Sequence, residues 1–443
     1  MAYRARIRLK RYMKDRCSPI RVYALLAVLC LCGAQGASAA TVGRIEIEGA
    51  RTRPEVVRAL LDTRSGGAFD PVAWERDLRR LRNLDYFYDV EGIARETDGK
   101  VDLTLRLRNK LSTLPVFKFK RGGGASLLTV GLYEVNFLDR LLEVGGQYER
   151  FNGKPGFVTW FRHPYLLSRR NRFGTELYVH TLNLPLLTDK GVEEAYFDNK
   201  ETRWNARLQR ELHESFRAGL EVGVYRNDFV RDDGAPEKAS RNAAFAQGTT
   251  LRSGRTVSLT PSVSVGRLDR ERHFVFGHEA TAQAELAHRA LGSQFGFVKA
   301  QLMASGGWRL PRSWNVVYQA RLGSKTGRDF QHKFYLGGLD TTRGFLDRQF
   351  RGEHMWLANI EARPTLVDRP AWVLQGGLFT DLAKTWDARN FGVEGFGDPI
   401  FSYGVGARLI LPRVYRAILR LDLARTQRPI RQYGVNFGLQ QFF

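Results

Sequence analysis

From about residue 111 onward the chain follows a period of two. Val257, Leu259, Pro261, Val263 and Val265 alternate with Ser258, Thr260, Ser262 and Ser264. Val298, Ala300, Leu302 and Ala304 alternate with Lys299, Gln301 and Met303. Val316, Tyr318, Ala320 and Leu322 alternate with Val317, Gln319, Arg321 and Gly323, and Ala417, Leu419, Leu421 and Leu423 with Ile418, Arg420, Asp422 and Ala424. Successive side chains on a strand point to opposite faces, so each stretch predicts a strand with one apolar face. In the terminal stretch Tyr433, Val435, Phe437, Leu439, Gln441 and Phe443 share one face, and Gly434, Asn436, Gly438, Gln440 and Phe442 the other. Such strands suit a barrel with lipid outside and water inside. A soluble sandwich buries an apolar face by the same alternation, so periodicity alone leaves both open.

Length favours the barrel. About 330 residues at roughly 20 per strand and connection give about 16 strands, too many for one sandwich. Residues 232–236 and 327–332 read as loops.

Residues 41–110 are patterned differently. Val42 to Glu48 alternates as a strand closed by Gly49. Pro54 opens a helix with Val56, Val57, Leu60 and Leu61 on its apolar face, and Gly66 and Gly67 break it. Asp70-Pro71 opens a second helix carrying Trp74, Leu78, Leu81 and Leu84. Phe87 and Val90 begin a strand, Asp98-Gly99 is a hairpin turn, and Val101, Leu103, Leu105 and Leu107 form another strand. The predicted order is β-α-α-β-β.

The first 40 residues form a third segment. Eight basic residues between Arg4 and Arg21 precede the apolar run Val22 to Cys32, and Ala37-Ser38-Ala39 supplies small residues for cleavage. This is the layout of a secretory signal peptide, residues 1–40, with an apolar run too short to span a membrane as a helix. Cys17, Cys30 and Cys32 all fall within it, so the mature chain has no disulfide and no thiolate metal site. Removing the segment's eight basic residues and one acidic residue leaves 61 Lys+Arg against 45 Asp+Glu, a formal charge of +16. That charge invites a nucleic-acid reading, but no zinc or helix-turn-helix pattern supports one. Basic residues lining a lumen or facing anionic headgroups explain it otherwise.

Several motifs carry a family resemblance. The segment 41–110, with its opening strand, Gly49, the stretch Leu81 to Phe87, and Val90, resembles a POTRA domain, a periplasmic module of barrel assembly and secretion proteins. Tyr335 to Phe345 resembles the sixth-loop motif of the BamA/TamA superfamily: Gly337-Gly338 precedes the tip Arg343-Gly344-Phe345. The resemblance implies a loop folded back into the barrel, with the arginine docked on acidic residues of the wall. Thr342 replaces the usual hydrophobic residue, a change of similar shape that should cost little on an exposed tip. Strand register independently points Glu361 and Asp381 inward, together with Arg363 and Phe379. Phe379-Thr-Asp381-Leu-Ala383 is similar to the family's Phe-x-Asp-x-Gly pattern, with Ala383 in place of glycine slightly restricting the approach of the loop. A guanidinium can fork onto two carboxylates in a way lysine cannot copy, and glycine at 344 permits close approach to the wall. Leu132 to Leu138 and His163 to Leu167 resemble the family's second and third strand regions. Arg121 to Ala125, rich in glycine, ends the expected first strand.

The expected fold is therefore mainly β: an antiparallel transmembrane β-barrel of about 16 strands, residues 111–443, behind one small α+β POTRA-like periplasmic domain, residues 41–110. The resemblance implies an outer-membrane factor of a Gram-negative bacterium that inserts barrels or moves polypeptides through a weak seam between first and last strands. Its partners would be unfolded outer-membrane or secreted client polypeptides, membrane lipid and a periplasmic assembly partner, with no nucleic acid and no cofactor. Tyr433, Phe437, Leu439 and Phe443 would form its own C-terminal insertion signal. One POTRA-like domain is few for this family and points to a specialised or accessory member. A dedicated two-partner-type secretion channel is the alternative, ahead of a passive porin. No Gly-x-Ser-x-Gly elbow or His-Glu-x-x-His site suggests an enzyme, and His163, His180 and His278 read as rim or loop residues.

Overall fold

The computed structural model describes residues 40–439, apart from 98, 123, 124, 249, 250, 328, 339, 340, 389, 390 and 416. Residues 1–39 of the expected signal peptide, its three cysteines included, lie outside the described residues, as does Phe443. The N-terminal domain consists of β1 (Thr41–Glu48), α1 (Pro54–Leu60), α2 (Pro71–Asn83), β2 (Phe87–Thr97) and β3 (Lys100–Asn109). Its sheet has the order β1-β3-β2, with β1 parallel and β2 antiparallel to β3. The Asp70 carboxylate accepts the Val72 N–H and, with Pro71 in the first turn, starts α2. The helix then buries Trp74, Leu78 and Leu81 against Leu103, Leu105 and Leu107 of β3.

The strands that follow are β4 (Thr113–Gly122), β5 (Ala125–Phe137), β6 (Leu142–Phe151), β7 (Lys154–His163), β8 (Asn171–Leu187), β9 (Glu193–His213) and β10 (Phe216–Arg231). After helix α3 (Pro236–Gly248) come β11 (Gly254–Glu271), β12 (Phe274–Ala287), β13 (Phe297–Leu310) and β14 (Trp314–Lys325). A short ribbon, β15 (Phe334–Leu336) and β16 (Phe350–Gly352), precedes β17 (His354–Asp368), β18 (Val373–Trp386), β19 (Ile400–Ile410), β20 (Ile418–Arg428) and β21 (Tyr433–Leu439).

All of these strands except the ribbon belong to one antiparallel sheet of 16 strands in sequence order, β14 pairing directly with β17. Its end strands return beside each other, with Cα atoms of β4 and β21 within 8 Å, so the sheet curls into a barrel. Among the described residues no hydrogen-bonded register joins β4 to β21. Val130, Leu132, Leu302, Leu322, Ile360, Leu421 and Val435 are exposed on the outer surface, whereas Ser258, Gln319, Asn359 and Asp422 are buried inside. An apolar exterior over a polar interior is the pattern that lipid selects. Tyr433 and Phe437 are exposed on the same outer face, and Leu439 ends β21.

The loop read from the sequence at residues 232–236 is found at 232–235, and α3 begins at Pro236 directly after it. Pro236 suits a first helical turn, and Ala239, Ala243, Ala244 and Ala246 are strong helix formers. Phe245 anchors the helix against Phe197 and Phe330, while the fully buried Asn242 donates to the Asp232 carbonyl and accepts the Tyr196 N–H. His163 ends β7, a rim position as expected, whereas His180 and His278 lie within β8 and β12 rather than at a rim or in a loop. β8 and β12 continue through His180 and His278.

The N-terminal domain packs across one mouth of the barrel. Arg76 pairs with Glu214 at 2.8 Å, and Asn83 donates to Asp269 at 2.8 Å. Tyr86 stacks on Tyr415 with centroids 5.5 Å apart, and the Arg53 N–H donates to the Asp139 carbonyl at 2.9 Å. The domain core runs on into the barrel through Leu114, Val116, Tyr133, Val135 and Leu141.

Candidate functional site

The long connection between β14 and β17 folds inward. Pairing of β15 with β16 returns the chain on itself and carries residues 337, 338 and 341–349 into the lumen. Phe334, Leu336, Phe345 and Phe350 pack with Met355, Leu357, Ala383 and Ile400, so an apolar cluster fixes the base of the loop. The Ala383 methyl is part of that cluster. Gly337 and Gly338 both take positive φ, 120° and 85°, and Thr341 Oγ1 accepts the Gly337 N–H and donates to its carbonyl.

The turn delivers Arg343 to the wall, where it is only 1 % exposed. Its Nη2 donates to Asp381 Oδ1 at 2.6 Å and its Nε to Oδ2 at 2.8 Å, the two-pronged arrangement of a guanidinium on a carboxylate. The Arg343 backbone N–H also donates to Asp381 Oδ2 at 3.0 Å, and Nη1 donates to Glu361 Oε2 at 3.0 Å. The guanidinium carbon lies 3.5 Å from the centroid of the Phe379 ring, a cation–π contact. Asn359 holds the acceptor in place by donating to Asp381 Oδ1 at 2.7 Å and to the Thr341 carbonyl at 2.8 Å. Arg343, Glu361, Asp381 and Phe379, named from sequence, thus meet at one point.

Sequence reasoning pointed Arg363 inward but did not gather it with the other members of this charge cluster. Asp422 Oδ2 is 3.9 Å from Arg343 Nη1 and 2.5 Å from Arg420 Nε. Arg408 also bonds Glu361, and Arg363 Nε lies 3.4 Å from the same carboxylate. Four guanidiniums and three carboxylates, on the loop and on β17 to β20, therefore share a site in which no member is more than 1 % exposed. Ions so buried persist only when paired, because each alone would carry a large desolvation cost. The inward positions of Arg420 and Asp422 were readable from alternation. Their convergence on the loop was not.

Thr342 requires another correction. It does not sit on an exposed tip: it is fully buried, and its hydroxyl has no hydrogen-bond partner among the described residues. The side chain matches valine in shape but adds a hydroxyl at a buried position, where an unpaired polar atom carries a cost.

Gly344 has φ +88°, and a Cβ there would lie 2.8 Å from Thr426 Cγ2 and 3.1 Å from Ala424 Cβ. Its carbonyl accepts from Gln432 Nε2 at 2.8 Å. Across the lumen, the fully buried Gln349 donates to the Asp189 carbonyl at 2.9 Å and accepts the Leu346 N–H at 3.0 Å. Arg351 donates to the Leu187 carbonyl at 2.6 Å and pairs with Glu194. The loop is therefore a strut from the β17–β21 wall to the β8–β9 hairpin.

Comparison with known proteins places this geometry. The sequence profile described as the Omp85 superfamily domain matches residues 142–443, and that described as POTRA, surface antigen variable number repeat, matches residues 40–110. Among solved structures, BamA from Haemophilus ducreyi lacking POTRA domains 1–3 is similar over 90 % of this chain and 83 % of that one, at 15 % identity and TM-score 0.54. CdiB from Escherichia coli is similar over 90 % and 75 %, at 12 % identity and TM-score 0.62. CdiB from Acinetobacter baumannii is similar over 90 % and 73 %, at 12 % identity and TM-score 0.58. No curated protein matches the sequence.

Proposed function

Because the chain belongs to the Omp85 superfamily, the family of BamA, we propose that it inserts barrel proteins into the outer membrane of a Gram-negative bacterium through its β4–β21 seam. Insertion or translocation of polypeptides is the general activity of that family. In this reading the N-terminal domain faces the periplasm and the opposite end of the barrel faces outward.

The observation that carries the reading is the seam itself: β4 and β21 lie side by side without a described ladder, while every other neighbouring pair of the large sheet is in register. Unpaired strand edges are templates for another strand. A client hairpin could add to them and complete its backbone hydrogen bonds before reaching lipid, where an unsatisfied amide is most costly. The periplasmic domain offers a first docking edge. The order β1-β3-β2 leaves β2 open on one side, whereas Val42 of β1 exchanges hydrogen bonds with Gly66 and Gly67. An extended client segment would therefore add along β2. Arg343 and its carboxylates would brace the wall while the seam is loose. The work comes from burying client apolar surface in lipid and requires no catalytic residue or cofactor.

A disulfide engineered across β4 and β21, in the full chain reconstituted in liposomes, tests the seam. Barrel insertion should stop when the bond forms and resume on reduction; full activity with the bond formed would overturn the reading. Depletion followed by an outer-membrane proteome separates the roles. Loss of many barrel proteins supports insertion, while loss of one exported protein assigns a dedicated secretion channel instead.

A further inference from the structure

We propose that the β5–β6 and β7–β8 turns, residues 138–141 and 164–170, form a docking surface for anionic phospholipid headgroups of the inner leaflet. Each turn holds a leucine where the backbone disfavours one. Leu138 and Leu167 both have φ 58°, in the left-handed region that glycine and asparagine occupy at least cost. Each also faces solvent: Leu138 is 58 % exposed and Leu167 is 96 % exposed. Backbone strain and an apolar side chain in water are separate costs, and both fall on the same residue in neighbouring turns. Strain retained at such a place points to a use for the side chain, and burial in a lipid interface removes the second cost.

A cation follows each leucine. Arg140 and Arg170 are exposed, and neither side chain has an acidic partner among the described residues. Arg169, by contrast, is committed to Asp62 of the N-terminal domain. The two turns form one unit, because the Tyr165 hydroxyl donates to the Arg140 carbonyl. That unit is held at a fixed height, because Asp139 accepts the Arg53 N–H from the domain.

Two observations select a membrane surface over a protein partner. The patch continues the lipid-facing wall: Phe137, exposed at the end of β5, precedes Leu138 directly, and Phe161 and Phe173 pack together at the same end of β7 and β8. Along this path apolar rings give way to leucines and then to arginines, the order in which acyl chains give way to phosphates. Charge complementarity then favours anionic lipid. The surface lies on β5 to β8, on the β4 side of the seam, so headgroups would be held beside the strand edge proposed to receive clients. The inference rests on the outer-membrane orientation given above.

The test uses the full chain in nanodiscs of phosphatidylcholine, with or without phosphatidylglycerol. Since Cys17, Cys30 and Cys32 are the chain's only cysteines and fall in the expected signal, a dye on Leu167→Cys of the mature protein reports this turn alone. A dye on Leu302→Cys, on the lipid-facing wall, serves as reference. Headgroup-region quenchers should quench residue 167 severalfold more when phosphatidylglycerol is present, and Arg140→Glu with Arg170→Glu should abolish that increment. Unlabelled protein should also retain phosphatidylglycerol in native mass spectrometry, and the double variant should lose it. Quenching at 302 without quenching at 167 would place the turns in water and overturn the proposal while leaving the barrel reading intact. Equal quenching in both lipid mixtures would overturn headgroup recognition. Shielding of 167 that grows with protein concentration would assign the surface to a second copy instead. Residue 302 is read with acyl-chain quenchers, and absence of quenching by them would overturn the membrane orientation itself.

Discussion

Gly344 and Gly434 meet backbone to backbone: a Cβ built on Gly434 would sit 2.5 Å from Gly344 Cα and 3.1 Å from its carbonyl oxygen. The tip of the luminal loop therefore rests on the start of the closing strand. Gln432, just before that strand, donates to the same glycine. Loop docking and the position of β21 are thus coupled through direct contact. Any movement that frees the loop removes a support from the seam.

Gly434→Ala should disturb this coupling. The obstructing atoms are backbone, so the loop tip or β21 must shift, with an expected cost of about 1–3 kcal/mol from overpacking. The unfolding midpoint of the purified barrel should fall, and crosslinks between β4 and β21 should form more readily or in a shifted register. An unchanged midpoint together with unchanged crosslinks would show that the contact relaxes freely.

Arg343→Lys should fail almost as completely as Arg343→Ala, with alanine the worse of the two. Lysine retains the charge but cannot fork onto Asp381 while also reaching Glu361. Breaking a buried ion group by removing one partner costs on the order of 3–5 kcal/mol. Heat-modifiable gel mobility reads the stability loss and client insertion reads the function. Wild-type behaviour of the lysine variant in both assays would reduce the site to simple charge neutralisation.

Thr342→Val should be neutral or stabilising. It preserves shape and removes a buried hydroxyl that lacks a partner among the described residues. The expected gain is up to about 1–3 kcal/mol, the cost of an unsatisfied buried polar group. Urea or thermal unfolding measures it. A clear loss of stability would mean that the hydroxyl is hydrogen-bonded, for example to ordered water.

The docked domain should respond to acid. The hydrogen bond from Arg76 holds the Glu214 carboxyl below its usual range. A depressed carboxyl contributes only while ionised: its attraction is complete above the free value of about 4.3 and is lost as pH falls through the lowered value. Spin labels on α2 and on the barrel should therefore keep their separation above the free carboxyl range and spread as the pH falls through the lowered value. Glu214→Gln should weaken the low-pH dependence and make docking less sensitive to salt at neutral pH. A separation indifferent to both acid and Glu214→Gln would exclude this pair as a docking contact.

Much of this architecture was readable in one dimension. The period of two separated the lipid face, with Leu421 and Leu423, from the luminal face, with Arg420 and Asp422. The helix signals around Pro54 and Asp70 were also local. α3 was not called, because the loop reading stopped at residue 236, where the helix begins. The loop motif singled out Arg343, and strand register oriented Glu361 and Asp381, since each step depends only on near neighbours in the chain.

Which side chains face lipid and which face the lumen was legible along the chain, because pleating and chain chirality set the two faces residue by residue. The sequence also named the arginine that enters the lumen and the two carboxylates that receive it. Three-dimensional packing was needed to bury Thr342, to bring Arg363, Arg408, Arg420 and Asp422 into the same charge cluster, and to set Gly344 against Gly434. Those relationships connect residues on separate strands and on the loop between them. Their distances follow from the stagger of the strands, the closure of the sheet and the packing of Phe345 and Phe350 at the loop base, none of which has a local signature.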